Sequence, residues 1–304
     1  MDEIVQRPAG LDRAQLRALG TPSDRAGLTR LAGHLGGLAA TGGLIAAAGG
    51  SWLVLPAMAL HGWLLVFLFA PLHESLHRTA FRSRWLNDGV ARACGFLLLL
   101  PADEFRFFHF AHHRHTQDPA KDPELARPKP SSLPAWLLHV SGLPLWYALI
   151  AGLQRHAVGR ADEPYLTPPG RTIVIAEARL HLLLYGLIAA AALAAGSIAP
   201  LAYWLVPALL GQPWLRLFLL AEHTGCPLVP DMLANSRTTL TNPALRFIAW
   251  NMPYHAEHHA YPALPFHALP ALHRRVRAEL GRLTPGYVAA QREIIAGFAG
   301  PSRR

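Results

Sequence analysis

Residues 31–72 read LAGHLGGLAATGGLIAAAGGSWLVLPAMALHGWLLVFLFAPL, a run of 42 residues without Asp, Glu, Lys or Arg. A helix that crosses a bilayer needs about 20 apolar residues, so this run is long enough for two. Gly49, Gly50 and Ser51 form a turn signal that divides the run. A second uncharged run, residues 180–215, is divided in the same way around residues 196–200. The sequence therefore predicts two membrane-spanning helical hairpins.

The composition agrees with a membrane protein. Only 15% of the 304 residues are charged, against about 25% in a typical soluble domain. Two buried hairpins in a soluble core are a weaker interpretation, because soluble helices usually keep one polar face. The two cysteines, Cys94 and Cys226, exclude a disulfide scaffold and a cysteine-rich zinc module.

The net charge of +9 comes from basic residues that flank the hairpins, whereas both hairpin turns are uncharged. Because basic loops stay on the cytoplasmic side, we expect four spans with both termini in the cytoplasm, in a bacterial inner membrane. The charge then suits anionic lipid rather than nucleic acid. The basic residues concerned are Arg7, Arg13, Arg17, Arg25, Arg30, Arg78, Arg82, Arg84, Arg155, Arg160, Arg171, Arg274, Arg275, Arg277, Arg282, Arg292, Arg303 and Arg304.

Histidine is unusually frequent, with 17 residues, and eight of them form three clusters outside the predicted spans. Within a cluster the spacing is i, i+3 or i+4, which places the imidazoles on one helix face. Imidazole is a common ligand of transition metals, so the pattern predicts a metal centre. The clusters are His73 and His77; His109, His112 and His113; and His255, His258 and His259.

The first cluster also has the HExxH pattern of zinc hydrolases, with Glu74 as the general base. One catalytic zinc ion takes three protein ligands and would leave the other clustered histidines unexplained. A metal pair is the better interpretation, and Glu74 then orients an imidazole through a hydrogen bond. The zinc hydrolase remains a remote alternative.

The three clusters resemble the HxxxH, HxxHH and HxxHH boxes of the integral-membrane, histidine-box fatty acid desaturases and hydroxylases, in the same order and spacing. The flanking segments 112–123 (HHRHTQDPAKDP) and 251–262 (NMPYHAEHHAYP) are most similar to bacterial acyl desaturases. The resemblance covers most of residues 30–280.

The resemblance implies an all-α integral-membrane fold, with four transmembrane helices as two hairpins, interfacial helices and a cytoplasmic helical cap that holds a dimetal site. We expect a single domain over residues 1–304. Its parts are a cytoplasmic arm (1–30), the first hairpin (31–72), a segment with boxes 1 and 2 (73–179), the second hairpin (180–221) and a segment with box 3 (222–304).

By resemblance, His223 joins the eight boxed histidines as a ninth metal ligand, and we expect no catalytic group beyond the ligands. Some relatives have an asparagine one turn before this histidine, where Leu219 stands here. The residues expected to orient the ligating imidazoles are Glu74, Asp118, Asp122, Glu222, Asn251 and Glu257. The candidates for contact with a lipid head group are Arg237, Arg274, Arg275 and Arg277.

The resemblance implies two iron ions that use O2 and externally supplied electrons to introduce a C=C bond into an acyl chain. A separate ferredoxin, rubredoxin or cytochrome donor is expected, because the chain shows neither a cysteine-rich iron–sulfur motif nor a dinucleotide fingerprint. Alternatives are a hydroxylase or ketolase of an acyl chain, alkane or carotenoid at the same site, and a non-enzymatic membrane protein that binds metal or lipid.

Overall fold

A computed structural model of the chain describes residues 13–299. The first twelve residues of the predicted arm, with Arg7, and the C-terminal Arg303 and Arg304 lie outside the described residues. Four helices are long and apolar enough to cross a membrane, and the rest of the described chain is helix and loop apart from two short strands. The predicted all-α fold with four spans as two hairpins is therefore confirmed. The spans are Asp24–Ala48, Val54–Leu76, Pro168–Ala194 and Leu201–His223.

The first and third spans begin before the uncharged runs do, because capping residues set where these helices start. The Ser23 side chain accepts a hydrogen bond from the main-chain N–H of Ala26, and the Thr167 side chain accepts one from Gly170. Such caps satisfy N–H groups that the first helical turn leaves free. The short helix α1 (Arg13–Leu19) precedes the first span, which is α2 (Asp24–Ala48), and the third span is α9 (Pro168–Ala194).

The second span is interrupted before it reaches the first histidine cluster. It consists of α3 (Val54–Val66) and α4 (Phe69–Leu76). Pro71 has no N–H to donate to the carbonyl of Phe67, so the regular hydrogen-bond ladder is interrupted at this point. The fourth span opens with a π-helical turn, Leu201–Leu205, and continues as α10 (Val206–His223).

The second and fourth spans pack with their backbones in direct contact. A Cβ atom added at Gly62 would lie 1.8 Å from the carbonyl oxygen of Pro207, and one added at Gly211 would lie 2.1 Å from the carbonyl oxygen of Gly62. Small residues allow such close approach between membrane helices, where van der Waals packing drives association. The contact holds α3 against the first turns of α10.

Four helices connect the hairpins. The last two bend by 54° at their junction, which is the geometry of a broken span or a re-entrant loop. The N-terminus of the helix that carries box 2 is capped from the third span, since Glu177 accepts the main-chain N–H groups of Asp103 and Glu104. These helices are α5 (Arg84–Leu97), α6 (Ala102–His115), α7 (Leu133–Val140) and α8 (Leu143–Ala157).

The segment after the fourth span folds back over the ends of α4, α6 and α10. Two three-residue strands in it pair in parallel, with Thr238 opposite Leu283. Aromatic side chains from the spans and from this segment share one buried core that includes Phe67, Phe218 and Trp250. The elements of the segment after the fourth span are α11 (Met232–Asn235), β1 (Arg237–Thr239), α12 (Pro243–Ile248), α13 (His255–Ala260), α14 (Leu269–Val276), β2 (Arg282–Thr284) and α15 (Tyr287–Ala296).

Candidate metal centre

The nine histidines predicted as ligands meet at one end of the helical bundle. The first cluster is on α4 and the residue after it, the second is on the last two turns of α6, and the third is on α13. His223 is the last residue of α10. The fold therefore brings four separate parts of the sequence to a single place, and seven of the nine imidazoles are buried there.

The imidazoles form two adjacent groups. Within each group, the possible ligand nitrogens lie within 4.8 Å of one another. The rings of His113 and His259 stack with their centroids 4.1 Å apart and join the groups. His255 adjoins the second group, since its Nε2 atom is 2.8 Å from Nε2 of His223. The first group is His73, His77, His109, His113 and His258, and the second is His112, His223 and His259.

The spacing of the ring nitrogens suits metal ions. The Nε2 atoms of His77 and His109 are 2.7 Å apart, and those of His113 and His258 are 3.2 Å apart. Two nitrogens bound to one ion at about 2.1 Å are separated by roughly 3 Å. Among the described residues, the buried Nε2 atoms of His73 and His259 have no hydrogen-bond partner. Buried polar atoms are normally paired, so the residues present fit a pair of metal ions.

Acceptors on the far side of the rings orient the second group. Nδ1 of His112 is hydrogen-bonded to Oδ1 of Asp122 at 2.9 Å. Nδ1 of His255 makes no such bond: a Glu222 oxygen lies 3.3 Å away, but among the described residues neither atom has a hydrogen-bond partner, so the expected orienting role of Glu222 has no hydrogen bond behind it. An acceptor at Nδ1 favours the tautomer in which Nε2 carries a free lone pair. The other two acceptors are the Asn235 carbonyl, 3.3 Å from Nδ1 of His223, and the Thr116 hydroxyl, 3.2 Å from Nδ1 of His259.

Glu74 lies between two imidazoles of the first group. Its side chain is fully buried, with Oε1 4.0 Å from Nδ1 of His73 and 3.9 Å from Nδ1 of His258. The hydroxyl of Thr79 donates to the other carboxylate oxygen at 3.0 Å. Glu74 therefore lies behind rings of box 1 and box 3, but at these distances the expected hydrogen bond to an imidazole is not formed.

The protein environment keeps these imidazoles in the neutral form that binds metals. Burial, together with the positive charge of Arg106, lowers the pKa of His77 to about 3. Burial and the neighbouring imidazoles hold the pKa of His109 and His113 well below the usual range. The pKa values of the three histidines on α13 are lowered in the same direction for the same reasons. All of these rings are therefore unprotonated near neutral pH.

Three of the residues expected to orient imidazoles are engaged elsewhere. Asp118 accepts the main-chain N–H of Ala120 at 2.9 Å and lies at the surface. The Asn251 amide donates to the carbonyl of Phe266 at 3.0 Å. Glu257 is buried and binds the Thr238 hydroxyl and Nδ1 of His273, which ties α13 to β1 and α14.

The four arginines expected at a lipid head group separate into two kinds. Arg237 is 2% exposed, and its guanidinium donates to the carbonyl of Ala221 and to Glu293. It is therefore committed inside the protein, where it holds β1 to the end of α10. The other three, Arg274, Arg275 and Arg277, are exposed at the end of α14.

The loop after box 2 supplies contacts that the histidine pattern does not indicate. Gln117 has a φ of +64°, which few residues other than glycine adopt. Its main-chain N–H donates to Asp122 at 2.8 Å, and its side chain donates to the carbonyl of His223 at 2.9 Å. Box 2 and the end of the fourth span are thereby linked through one residue. The only sequence signal for this role is the position of Gln117 next to the second cluster.

Comparisons with known proteins agree on one family. The sequence model described as Fatty acid desaturase matches residues 21–290. The chain is 26% identical over 186 residues to the sn-1 oleoyl-lipid 12-desaturase of Picosynechococcus sp., which is 57% of this chain and 51% of that protein. It is 27% identical over 264 residues to the sphingolipid delta(4)-desaturase of Drosophila melanogaster, which is 83% of this chain and 74% of that protein. The chain thus spans about half the length of the first relative.

Proposed function

The chain belongs to the fatty acid desaturase family, and we propose that it is an O2-dependent desaturase that introduces a C=C bond into the acyl chain of a fatty acid or lipid. In this proposal the nine histidines hold two iron ions. The observation that carries it is the convergence of two groups of neutral imidazoles with unpartnered Nε2 atoms at His73 and His259. Such donors suit divalent iron and leave positions for O2.

Two bound iron ions would supply the O2-derived oxidant that an unactivated C–H bond requires. The residues of this chain exclude water and orient the imidazoles. Phe69 packs parallel to the ring of His73, with the ring centroids 6.1 Å apart, and Phe105 lies 5.5 Å from the ring of His109. These aromatic rings line the side of the first group that faces the spans, which favours an apolar substrate at that side.

The position of Glu74 supports the metal pair over a zinc hydrolase. A general base needs access to the water molecule that it deprotonates. Glu74 is 0% exposed, and its carboxylate lies beside the Nδ1 atoms of two imidazoles rather than the Nε2 atoms that converge. Such a position, behind the rings and away from water, does not suit a general base.

We further propose that the histidine end of the bundle faces the cytoplasm of a bacterial cell and that the chain acts as one domain in the inner membrane. The arginines that follow the second span, Arg78, Arg82 and Arg84, lie at this end, whereas the hairpin turn at residues 49–51 carries no charge. The positive-inside rule gives this orientation. A separate ferredoxin, rubredoxin or cytochrome would then deliver electrons from the cytoplasm.

The proposal is tested by the lipids of a host that expresses the protein, analysed by mass spectrometry and compared with a host that expresses the His112→Ala variant. We expect acyl chains that are lighter by two hydrogen atoms in the first host alone. Chains that gain one oxygen atom would identify a hydroxylase instead. Identical lipids in the two hosts, with a reductase supplied, would contradict both the desaturase and the hydroxylase.

A further inference from the structure

A carboxylate that does not belong to the histidine boxes points into the second imidazole group. Glu124 lies in the short 3-10 turn Pro123–Ala126, after α6. Its Oε2 atom is 3.3 Å from Nε2 of His112. That nitrogen is the one that faces the second group, since it is also 3.2 Å from Nε2 of His223.

The position of Glu124 is fixed by the same residue that orients His112. Oδ1 of Asp122 lies 2.9 Å from Nδ1 of His112 and also accepts the main-chain N–H of Glu124 at 2.9 Å. Asp122 is buried, with 5% of its surface exposed. The imidazole and the start of the turn are therefore held by one carboxylate, and Glu124 is directed back toward the ring.

The atoms that meet at this point are all acceptors. With Nδ1 of His112 and His223 turned toward Asp122 and the Asn235 carbonyl, their Nε2 atoms present lone pairs. Oε2 of Glu124 adds a charged acceptor. Lone pairs at 2.8–3.3 Å repel one another unless a cation lies between them. A proton on His112 would relieve one of these contacts, whereas one metal ion relieves all of them.

We propose that Glu124 is a ligand of the second iron, together with the imidazoles of the second group and His255. This inference rests on the proposed function, because it presupposes the iron pair. The other oxygen of Glu124 forms an ion pair with the ammonium group of Lys129, which leaves Oε2 for the metal. The two irons are then unequal: five imidazoles hold the first, and four imidazoles with one carboxylate hold the second.

Mössbauer spectroscopy of the full-length protein, purified in detergent and loaded with 57Fe under anaerobic conditions, tests the proposal. The wild type should give two ferrous signals of equal area. In Glu124→Gln one signal should stay unchanged and the other should shift or disappear. A chelator should remove the affected iron about 10- to 100-fold faster than from the wild type. The unchanged signal serves as an internal control for folding.

Two further variants separate ligation from charge. Glu163→Gln removes a carboxylate that pairs with His156 and Arg155 away from the nine histidines, and it should leave both signals unchanged. Glu124→Asp keeps the charge but shortens the side chain, and it should resemble Glu124→Gln. A wild-type spectrum in Glu124→Asp would reduce Glu124 to an electrostatic role and overturn the proposal, as would a wild-type spectrum in Glu124→Gln. A wild type that binds no iron pair would instead refute the proposed function.

Discussion

Asp122 joins the imidazole of His112 to the loop that follows it. One carboxylate oxygen lies 2.9 Å from Nδ1 of His112, and the other accepts the main-chain N–H of Gln117 at 2.8 Å. Gln117 in turn donates to the carbonyl of His223, at the end of the fourth span. The orientation of an imidazole, the path of the loop and the position of a span are thus set by one connected group of hydrogen bonds.

Asp122→Asn should weaken iron binding without unfolding the protein. The amide keeps the size of the side chain but has only one acceptor oxygen, so its NH2 group must face either Nδ1 of His112 or the main-chain N–H of Gln117. Loss of such a partner typically lowers metal affinity or activity about 10- to 100-fold. Iron retention during dialysis against a chelator would measure the effect. Asp118→Asn changes the same chemical group in the same loop, away from the ligands, and should retain iron like the wild type.

The sequence predicts the spans and the histidine clusters because both depend on local patterns. A long uncharged run requires a membrane, and i, i+4 spacing places two side chains on one helix face whatever the helix packs against. Contacts made by loops have no such periodic signal. The side chain of Gln117 reaches His223 and Oε2 of Glu124 reaches His112 only after distant segments meet.

Arg237 lies in a polar segment whose burial the sequence does not indicate. Its polar neighbours Asn235, Ser236, Thr238 and Thr239 suggest a surface loop, but all of them are buried beside the end of α10. Hydrogen bonds within this segment, and between it and His223, replace those to water. Composition alone does not distinguish such a segment from an exposed one.

Arg237→Gln should destabilise the protein and leave the substrate preference unchanged. The guanidinium donates to the carbonyl of Ala221 within the interior, and a buried acceptor without its partner costs about 1–3 kcal/mol. A lower melting temperature in detergent with an unchanged pattern of products is expected. Arg274→Gln changes an arginine at an exposed position and should leave the melting temperature unchanged. A selective change in head-group preference in Arg237→Gln would contradict the structural role.

Gly62→Ala should weaken the packing of the second span on the fourth. The added methyl group would lie 1.8 Å from the carbonyl oxygen of Pro207, so the two helices must separate. Overpacking of this kind costs about 1–3 kcal/mol. Gly36→Ala is the matched control, because a Cβ atom there meets nothing within 4 Å. Equal melting temperatures for the two variants would show that the backbone contact is not needed.

Histidines outside the two groups should tolerate substitution. Nε2 of His139 lies 3.0 Å from the Arg216 guanidinium, and Nε2 of His156 lies 2.8 Å from Glu163. His139→Ala and His156→Ala should keep most of the desaturase activity in an expressing host. His109→Ala or His258→Ala should abolish it, because each ring belongs to the first group. Comparable activity in all four variants would refute the assignment of the ligands.

The amount of iron bound per folded chain, measured by elemental analysis after anaerobic loading, decides whether the nine histidines form a diiron centre. We expect about two iron ions in the wild type and a clear loss in His258→Ala, because the proposal assigns one ion to each imidazole group. A single zinc ion per chain, with no loss of metal in His258→Ala, would contradict the diiron centre and favour the HExxH hydrolase.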